Sequence, residues 1–211
     1  MSSDHRLRGL YAITSASLCA DPARLVAAVE AALRGGVRLL QYRDKLGSPE
    51  SREHGARLVL ERCRAASVPL IVNDDLALAV RIGADGVHLG VGDGSLADAR
   101  AVLGPSAIIG ITCADSLARA LAAEQGGASY VAFGAFFHSS TKPEAALLSI
   151  EQLRQARARL RLPICAIGGI TPDRAPALVA AGADCVAAVD GVFGAADPER
   201  AARAYAAAFA V

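Results

Sequence analysis

Gly83-Ala84-Asp85-Gly86-Val87-His88-Leu89 ends one helix-forming stretch and opens a run of apolar residues. Glycine stops a helix well because it enters the left-handed region without a Cβ clash. The chain then turns within two or three residues and starts an aliphatic run. The same device recurs as Gly127-Ala128-Ser129-Tyr130-Val131 and as Gly182-Ala183-Asp184-Cys185-Val186. Such repetition is the punctuation of stacked strand–helix units.

The apolar runs are near-continuous and do not alternate, which suits strands covered on both faces. They lie near 10–14, 39–43, 70–73, 86–89, 108–112, 130–133, 164–167 and 185–189. Segments rich in Ala, Leu and Arg separate them, at 21–34, 50–66, 76–82, 96–103, 117–125, 150–159, 174–181 and 198–210. In the first, Leu25, Val29 and Leu33 recur at a helical interval of four. Ser48-Pro49 and Thr171-Pro172 each offer an N-cap followed by proline at the first helical position. Eight strands alternating with eight helices, without a linker or composition break, predict an α/β fold: a (β/α)8 TIM barrel forming a single compact domain over residues 1–211. Open doubly wound sheets often carry G-x-G-x-x-G in their first turn. Here Thr14-Ser15-Ala16-Ser17-Leu18 lacks it. Residues 1–8 are expected to form a disordered or extended N-terminal segment.

The 211 residues are 53% hydrophobic, enough for one large core. Lys and Arg number 22 against 21 Asp and Glu, so no overall field draws the chain to nucleic acid or an anionic membrane. No apolar segment approaches the roughly 20 residues needed to span a bilayer. The first residues hold no hydrophobic signal region, and a cytoplasmic location is expected. The five cysteines form no C-x-x-C pair and read as buried free thiols.

Polar residues cluster just past the apolar runs. Gln41-Tyr42-Arg43-Asp44-Lys45 follows Gly36-Val37-Arg38-Leu39-Leu40, and Asn73-Asp74-Asp75 follows Pro69-Leu70-Ile71-Val72. Asp93 comes after the run at 86–89, Thr112 ends the next one, and Thr141-Lys142 follows the run at 130–137. In a parallel barrel those C-terminal strand ends hold the chemistry. Arg43, Lys45 and Lys142 would gather cations opposite Asp74 and Asp93. Carboxylates repel a bound phosphate unless a divalent cation lies between them. Mg2+ suits that position, since it takes one or two carboxylates and completes its shell with water and phosphate oxygens. The group suggests a magnesium–diphosphate site; salt bridges closing the mouth are the plainer reading. A second anion site is suggested by Ala166-Ile167-Gly168-Gly169-Ile170-Thr171-Pro172, where glycines allow close approach and a helix start presents amides. A ligand-free tight turn would look the same.

Together with Leu10-Tyr11-Ala12-Ile13-Thr14, Ala84-Asp85-Gly86-Val87-His88-Leu89-Gly90 and Ile108-Ile109-Gly110-Ile111-Thr112, these segments resemble the thiamine-phosphate synthase family along nearly the whole chain. The resemblance implies a Mg2+-assisted transferase that joins hydroxymethylpyrimidine diphosphate to a thiazole phosphate, yielding thiamine phosphate and diphosphate. By the family's pattern Gln41, Tyr42, Arg43, Asp44, Lys45, Asn73, Thr112 and Lys142 would contact the pyrimidine diphosphate, and Asp74 and Asp93 would hold Mg2+. Ser139, Ser140, Thr141, Gly168, Gly169, Val189 and Asp190 would contact the thiazole phosphate. Arg43, Lys45 and Lys142 are the expected catalytic residues, stabilising charge on the departing diphosphate. Small-molecule substrates are the implied partners, with no nucleic acid or membrane, and a homodimer is a possible assembly.

Four positions depart from the family's usual residues: His138, Ser139, Ser149 and Asp190. A carboxylate at Asp190 would repel a phosphate unless only its backbone amide is used. Two other readings stay open, a thiazole tautomerase on the same barrel and a non-catalytic phosphate-ligand sensor. His88 reads as a hydrogen-bonded barrel residue or a ligand, and Tyr130 as packing.

Overall fold

Eight parallel strands pair in chain order and close on themselves, with β1 bonded to both β2 and β8. They are β1 (Gly9–Ile13), β2 (Val37–Tyr42), β3 (Leu70–Asn73), β4 (Gly86–Leu89), β5 (Ile108–Ala114), β6 (Tyr130–Phe133), β7 (Ile164–Ala166) and β8 (Cys185–Ala188). The computed structural model describes residues 7–138 and 146–210. Outside the strands lie α1 (Ala16–Cys19), α2 (Pro22–Arg34), α3 (Pro49–Ala65), α4 (Leu76–Ile82), α5 (Leu96–Leu103), α6 (Leu117–Gln125), α7 (Ile150–Arg159), α8 (Ala175–Ala180), α9 (Asp190–Phe193) and α10 (Pro198–Ala206).

Side chains on a strand alternate between faces. One set fills the barrel: Tyr11, Ile13, Leu39, Ile71, Ile108, Tyr130 and Cys165 share an inner cluster. The neighbouring positions Leu10, Leu40, Tyr42, Val72, Val131 and Val186 belong to the larger layer beneath the helices. All five cysteines are free and buried. Leu7, assigned by sequence to the N-terminal segment, is buried in the inner cluster.

The repeated glycine device has one geometry in its three copies. Ala84, Ala128 and Ala183 each donate a backbone N–H back into the preceding helix, to Ala79, Ala123 and Leu178, the six-to-one bond of a Schellman stop. The next residue then ties the new strand to the one before. Asp85 donates its N–H to the Leu70 carbonyl (3.0 Å), and its Oδ2 accepts from the Leu70 N–H (2.8 Å). Ser129 does the same to Ile109, and Asp184 to Ile164. Each clamp sits at the barrel floor, opposite the end expected to carry the site.

Several boundaries differ from the sequence reading. β2 begins at Val37 and ends at Tyr42, and β5 runs on to Ala114 through an irregularity after Thr112. The four-residue helices α1 and α9 are too short to show an apolar period. Ser48 does cap α3, with Pro49 at its first position. Thr171 is not the cap of α8: its carbonyl accepts from Arg174 and Ala175 in a turn, and the regular helix starts only at Ala175. Ser149 forms a capping box with Gln152 at the start of α7, which gives that departure from the family a local purpose.

Candidate active site

The end of β2 separates its residues by alternation. Gln41 points inward, and its Nε2 donates to the Tyr11 hydroxyl at 2.6 Å. Tyr42 points outward and is buried against α3, where a Cβ on Gly55 would lie 2.6 Å from its hydroxyl. Burial pushes that hydroxyl well above the usual phenol range. The side chain of Tyr42 therefore sits in the barrel–helix layer, away from the mouth. Asp44 is occupied too, its Oδ1 accepting from the N–H groups of Leu46 and Gly47 (both 3.0 Å) to shape the turn. Arg43 is held through its backbone: fully buried Thr14 accepts from its N–H (2.7 Å) and donates to its carbonyl (3.1 Å).

The two carboxylates Asp74 and Asp93 lie close together. Asp74 follows β3 in the left-handed region (φ +62), which aspartate tolerates better than most residues. Its N–H extends the ladder to the His88 carbonyl at 2.9 Å. Its Oδ2 accepts from Asn73 Nδ2 (2.6 Å) and pairs with Lys45 Nζ. Asp93, in the loop after β4, accepts from the Gly90 N–H at 2.9 Å and lies in hydrogen-bonding reach of Asp74. Burial pushes Asp74 upward, but Lys45 and the hydrogen bonds from Asp93 and Asn73 outweigh it and hold the carboxyl below its ordinary value. Asp93 is raised, first by its hydrogen bond to Asp74 and then by desolvation. Proton and cation would therefore compete for the Asp93 carboxyl. Asp75 serves the fold, capping α4 through the Leu78 N–H.

Thr112, on β5, receives a 2.8 Å contact from His88 Nε2, and His88 Nδ1 lies 2.9 Å from the Tyr130 hydroxyl. His88 is a buried barrel residue hydrogen-bonded at both ring nitrogens. Tyr130 does more than pack: its ring stacks on His88 with 5.6 Å between centroids, and its hydroxyl lies 2.8 Å from that of Tyr11. Gly110 makes room for this ring, since a Cβ there would overlap it.

On the far side of the mouth, Gly168 (φ +104) and Gly169 (φ +60) lie against the loop after β6, and a Cβ on either would strike Ala135 or the His138 carbonyl. Phe137 donates to the Gly168 carbonyl at 2.9 Å. Arg174 covers the Phe137 ring at 4.5 Å and donates to the Gly169 carbonyl at 3.0 Å. Val189 leads into α9, and Asp190 is its exposed first residue. Tyr205 from α10 braces both loops, donating to the Ile170 carbonyl at 2.6 Å and lying directly under Gly191. Ser139, Ser140, Thr141 and Lys142 lie outside the described residues. Sequence reasoning passed over Thr14, Tyr11 and Tyr205 as site-building residues; the one signal was hydroxyl groups in otherwise apolar elements.

Among the described residues, no three His, Cys, Asp or Glu side chains converge as a metal cage. The Asp74–Asp93 pair fits an ion that needs only one or two carboxylates.

The model of a family described as thiamine monophosphate synthase matches residues 10–192. The chain belongs to the thiamine monophosphate synthase family. A thiamine-phosphate synthase of Methylococcus capsulatus is 56% identical over 196 residues, 93% of this chain and 87% of that protein. Another from Thioalkalivibrio sulfidiphilus is 54% identical over 206 residues, 98% of this chain and 97% of its own. Among solved structures, thiamine phosphate pyrophosphorylase from Pyrococcus furiosus superposes with a TM-score of 0.85 at 30% identity, covering 97% of this chain and 96% of that one. The activity is therefore that of a thiamine-phosphate synthase, a transferase reaction on a TIM barrel. The stretch matched by the family model contains both carboxylates and the Gly168-Gly169 turn. No helix among the described residues is long and apolar enough to cross a membrane.

Proposed function

We propose that the mouth of this barrel alkylates a thiazole phosphate with the methylene group of hydroxymethylpyrimidine diphosphate, using Mg2+ held by Asp74 and Asp93. The observation that carries this reading is the convergence of Lys45, Asn73, Asp74 and Asp93 from three loops into one charged group. The bond from the methylene carbon to diphosphate breaks with its electron pair leaving on oxygen. The lone pair of the thiazole nitrogen then forms the new carbon–nitrogen bond. No proton must be moved, so neither a nucleophile nor a general base is required of the protein. When bound, Mg2+ supplies charge neutralisation for the diphosphate.

The chain's own residues do the rest. Lys45 and Arg43 stabilise the anion as it separates, with Lys142 assigned the same role. Asn73 orients Asp74 and leaves its own carbonyl for the ring. The glycine turn at Gly168-Gly169 and the start of α9 at Val189-Asp190 would receive the thiazole phosphate on backbone amides, which lets the exposed Asp190 side chain turn away from it. Leu46 and Val91 stand 85% and 71% exposed beside the charged group. They are suited to cover a bound ligand and exclude water that would quench the cation.

Incubating the purified protein with both substrates and Mg2+ should release diphosphate, with none when either substrate or the metal is withheld. Asp93→Ala should abolish that release while the protein stays folded. Full turnover in excess chelator, or an active Asp93→Ala enzyme, would refute the metal assignment. Isomerisation of a thiazole without diphosphate release would favour the tautomerase reading.

A further inference from the structure

Five side chains from five strands form one continuous hydrogen-bonded chain across the barrel. Gln41 Nε2 lies 2.6 Å from the Tyr11 hydroxyl, which lies 2.8 Å from the Tyr130 hydroxyl. That in turn is 2.9 Å from His88 Nδ1, and His88 Nε2 is 2.8 Å from Thr112 Oγ1. Both tyrosines are fully buried, and their rings meet edge to face. The two ends, Gln41 and Thr112, are the residues assigned to the pyrimidine diphosphate.

Such a chain has a direction. Each hydroxyl has one proton to give, and a neutral imidazole has one N–H. With the Gln41 nitrogen donating to Tyr11, the arrangement that keeps every hydroxyl proton inside the chain has Tyr11 donating to Tyr130 and Tyr130 to His88 Nδ1. The ring proton is then on Nε2 and goes to Thr112. Two groups are left for a ligand: the Gln41 carbonyl, which can only accept, and the Thr112 proton, which can be donated. Burial raises both phenols far above their usual range, so they keep their protons and pass on polarity, not charge.

We propose that Tyr11 and Tyr130 are positioning residues that couple the hydrogen-bond polarity of Gln41 to that of Thr112, so the site selects a ring that donates at Gln41 together with an anion that accepts at Thr112. An aminopyrimidine diphosphate meets both demands. An oxo-substituted ring would require the Gln41 amide to turn over and every bond along the chain to reverse. Thr112 would then offer an acceptor to the anionic diphosphate. Discrimination at the ring is thereby reinforced by the phosphate end, through groups that touch neither. This inference rests on the pyrimidine diphosphate reading of the site.

The test compares kcat/KM for the aminopyrimidine diphosphate and for its analogue with oxygen replacing the amino group, in the wild type, Tyr11→Phe, Tyr130→Phe and the double variant. The wild type should prefer the amino substrate by about a hundredfold or more. Either phenylalanine should cut that preference by about tenfold, and the double variant should lose no more than one single variant, since a chain is broken once. The KM for thiazole phosphate should stay unchanged. An unaltered preference, an equal loss on both substrates, or additive losses would overturn the coupling while leaving the enzyme assignment intact. Absence of diphosphate release by the wild type would instead overturn the functional reading, and this inference with it. Independently of any variant, proton–nitrogen NMR should find His88 of the wild type as the Nε2–H tautomer, and the Nδ1–H tautomer would overturn the stated direction.

Discussion

Replacing Gly90 by alanine should strike the metal site without touching a charged residue. Gly90 is absent from the positive-φ positions, so an alanine meets no backbone strain there. Its Cβ would stand 2.5 Å from Asp93 Oδ2 and 4.0 Å from Asp74 Oδ1. To regain an ordinary 3.4 Å separation the Asp93 oxygen must withdraw by about 0.9 Å, a displacement on the scale that misplaces a reacting group. The move also stretches the 2.9 Å bond from the Gly90 N–H. A hydrogen bond to a charged group contributes about 1.5–3 kcal/mol, so the apparent affinity for Mg2+ should fall by roughly ten- to a hundredfold. The fold should survive, because the clash is with the end of a flexible side chain in an exposed loop. The assay is initial diphosphate release against Mg2+ concentration at saturating substrates, with thermal unfolding run alongside. We expect a much higher half-saturation for Mg2+, recovery of most of the rate in excess metal, and a midpoint within a few degrees of wild type. An unchanged half-saturation would show that Asp93 does not hold the ion.

The raised carboxyl of Asp93 gives a second expectation, for pH. Below its pKa the carboxyl carries a proton that Mg2+ must displace. Magnesium affinity should therefore weaken as pH falls through that value and level off above it. Asp93→Asn should flatten the dependence, and an affinity that improved toward acid would contradict the raised Asp93 carboxyl. At the barrel floor, Asp85→Ala leaves the Leu70 N–H without its 2.8 Å acceptor and should cost about 1–3 kcal/mol in urea unfolding. Asp85→Asn keeps an oxygen in place and should retain most of that stability; equal losses in the two variants would refute the clamp.

The barrel was legible because its evidence is local. Glycine stops, continuous apolar runs and the Ser48-Pro49 cap all act within a few residues. What those stops accomplish was not legible, since the acceptors on Asp85 and Asp184 serve strand residues 15 and 20 positions upstream. Thr171-Pro172 misled for a related reason: it has the local chemistry of a helix start, but the chain first makes a turn beside the glycine loop. At the mouth, charge was readable and direction was not. Gln41 and Tyr42 are adjacent, and only a fixed strand register shows that one faces in and the other out. Asp44 looked like a ligand contact but satisfies its own turn. Tyr11 and Tyr130 sit within apolar runs, where a phenol reads as bulk until its partner on another strand is known.

The floor clamps also divide the molecule. Each joins an odd strand to the even strand that follows it: β3 to β4, β5 to β6, β7 to β8. Among the described residues no clamp on the residue just before a strand spans the seam between β4 and β5 or between β6 and β7, although at the latter Glu124 of α6 accepts from the N–H groups of Arg161 (2.7 Å) and Leu162 (2.8 Å). The cylinder is assembled from stapled doublets, and the seam between β4 and β5 is the natural place to splice in a half from another barrel. A chimera cut there would inherit each staple whole, whereas a cut within a doublet would part the staple from the strand it was shaped to hold.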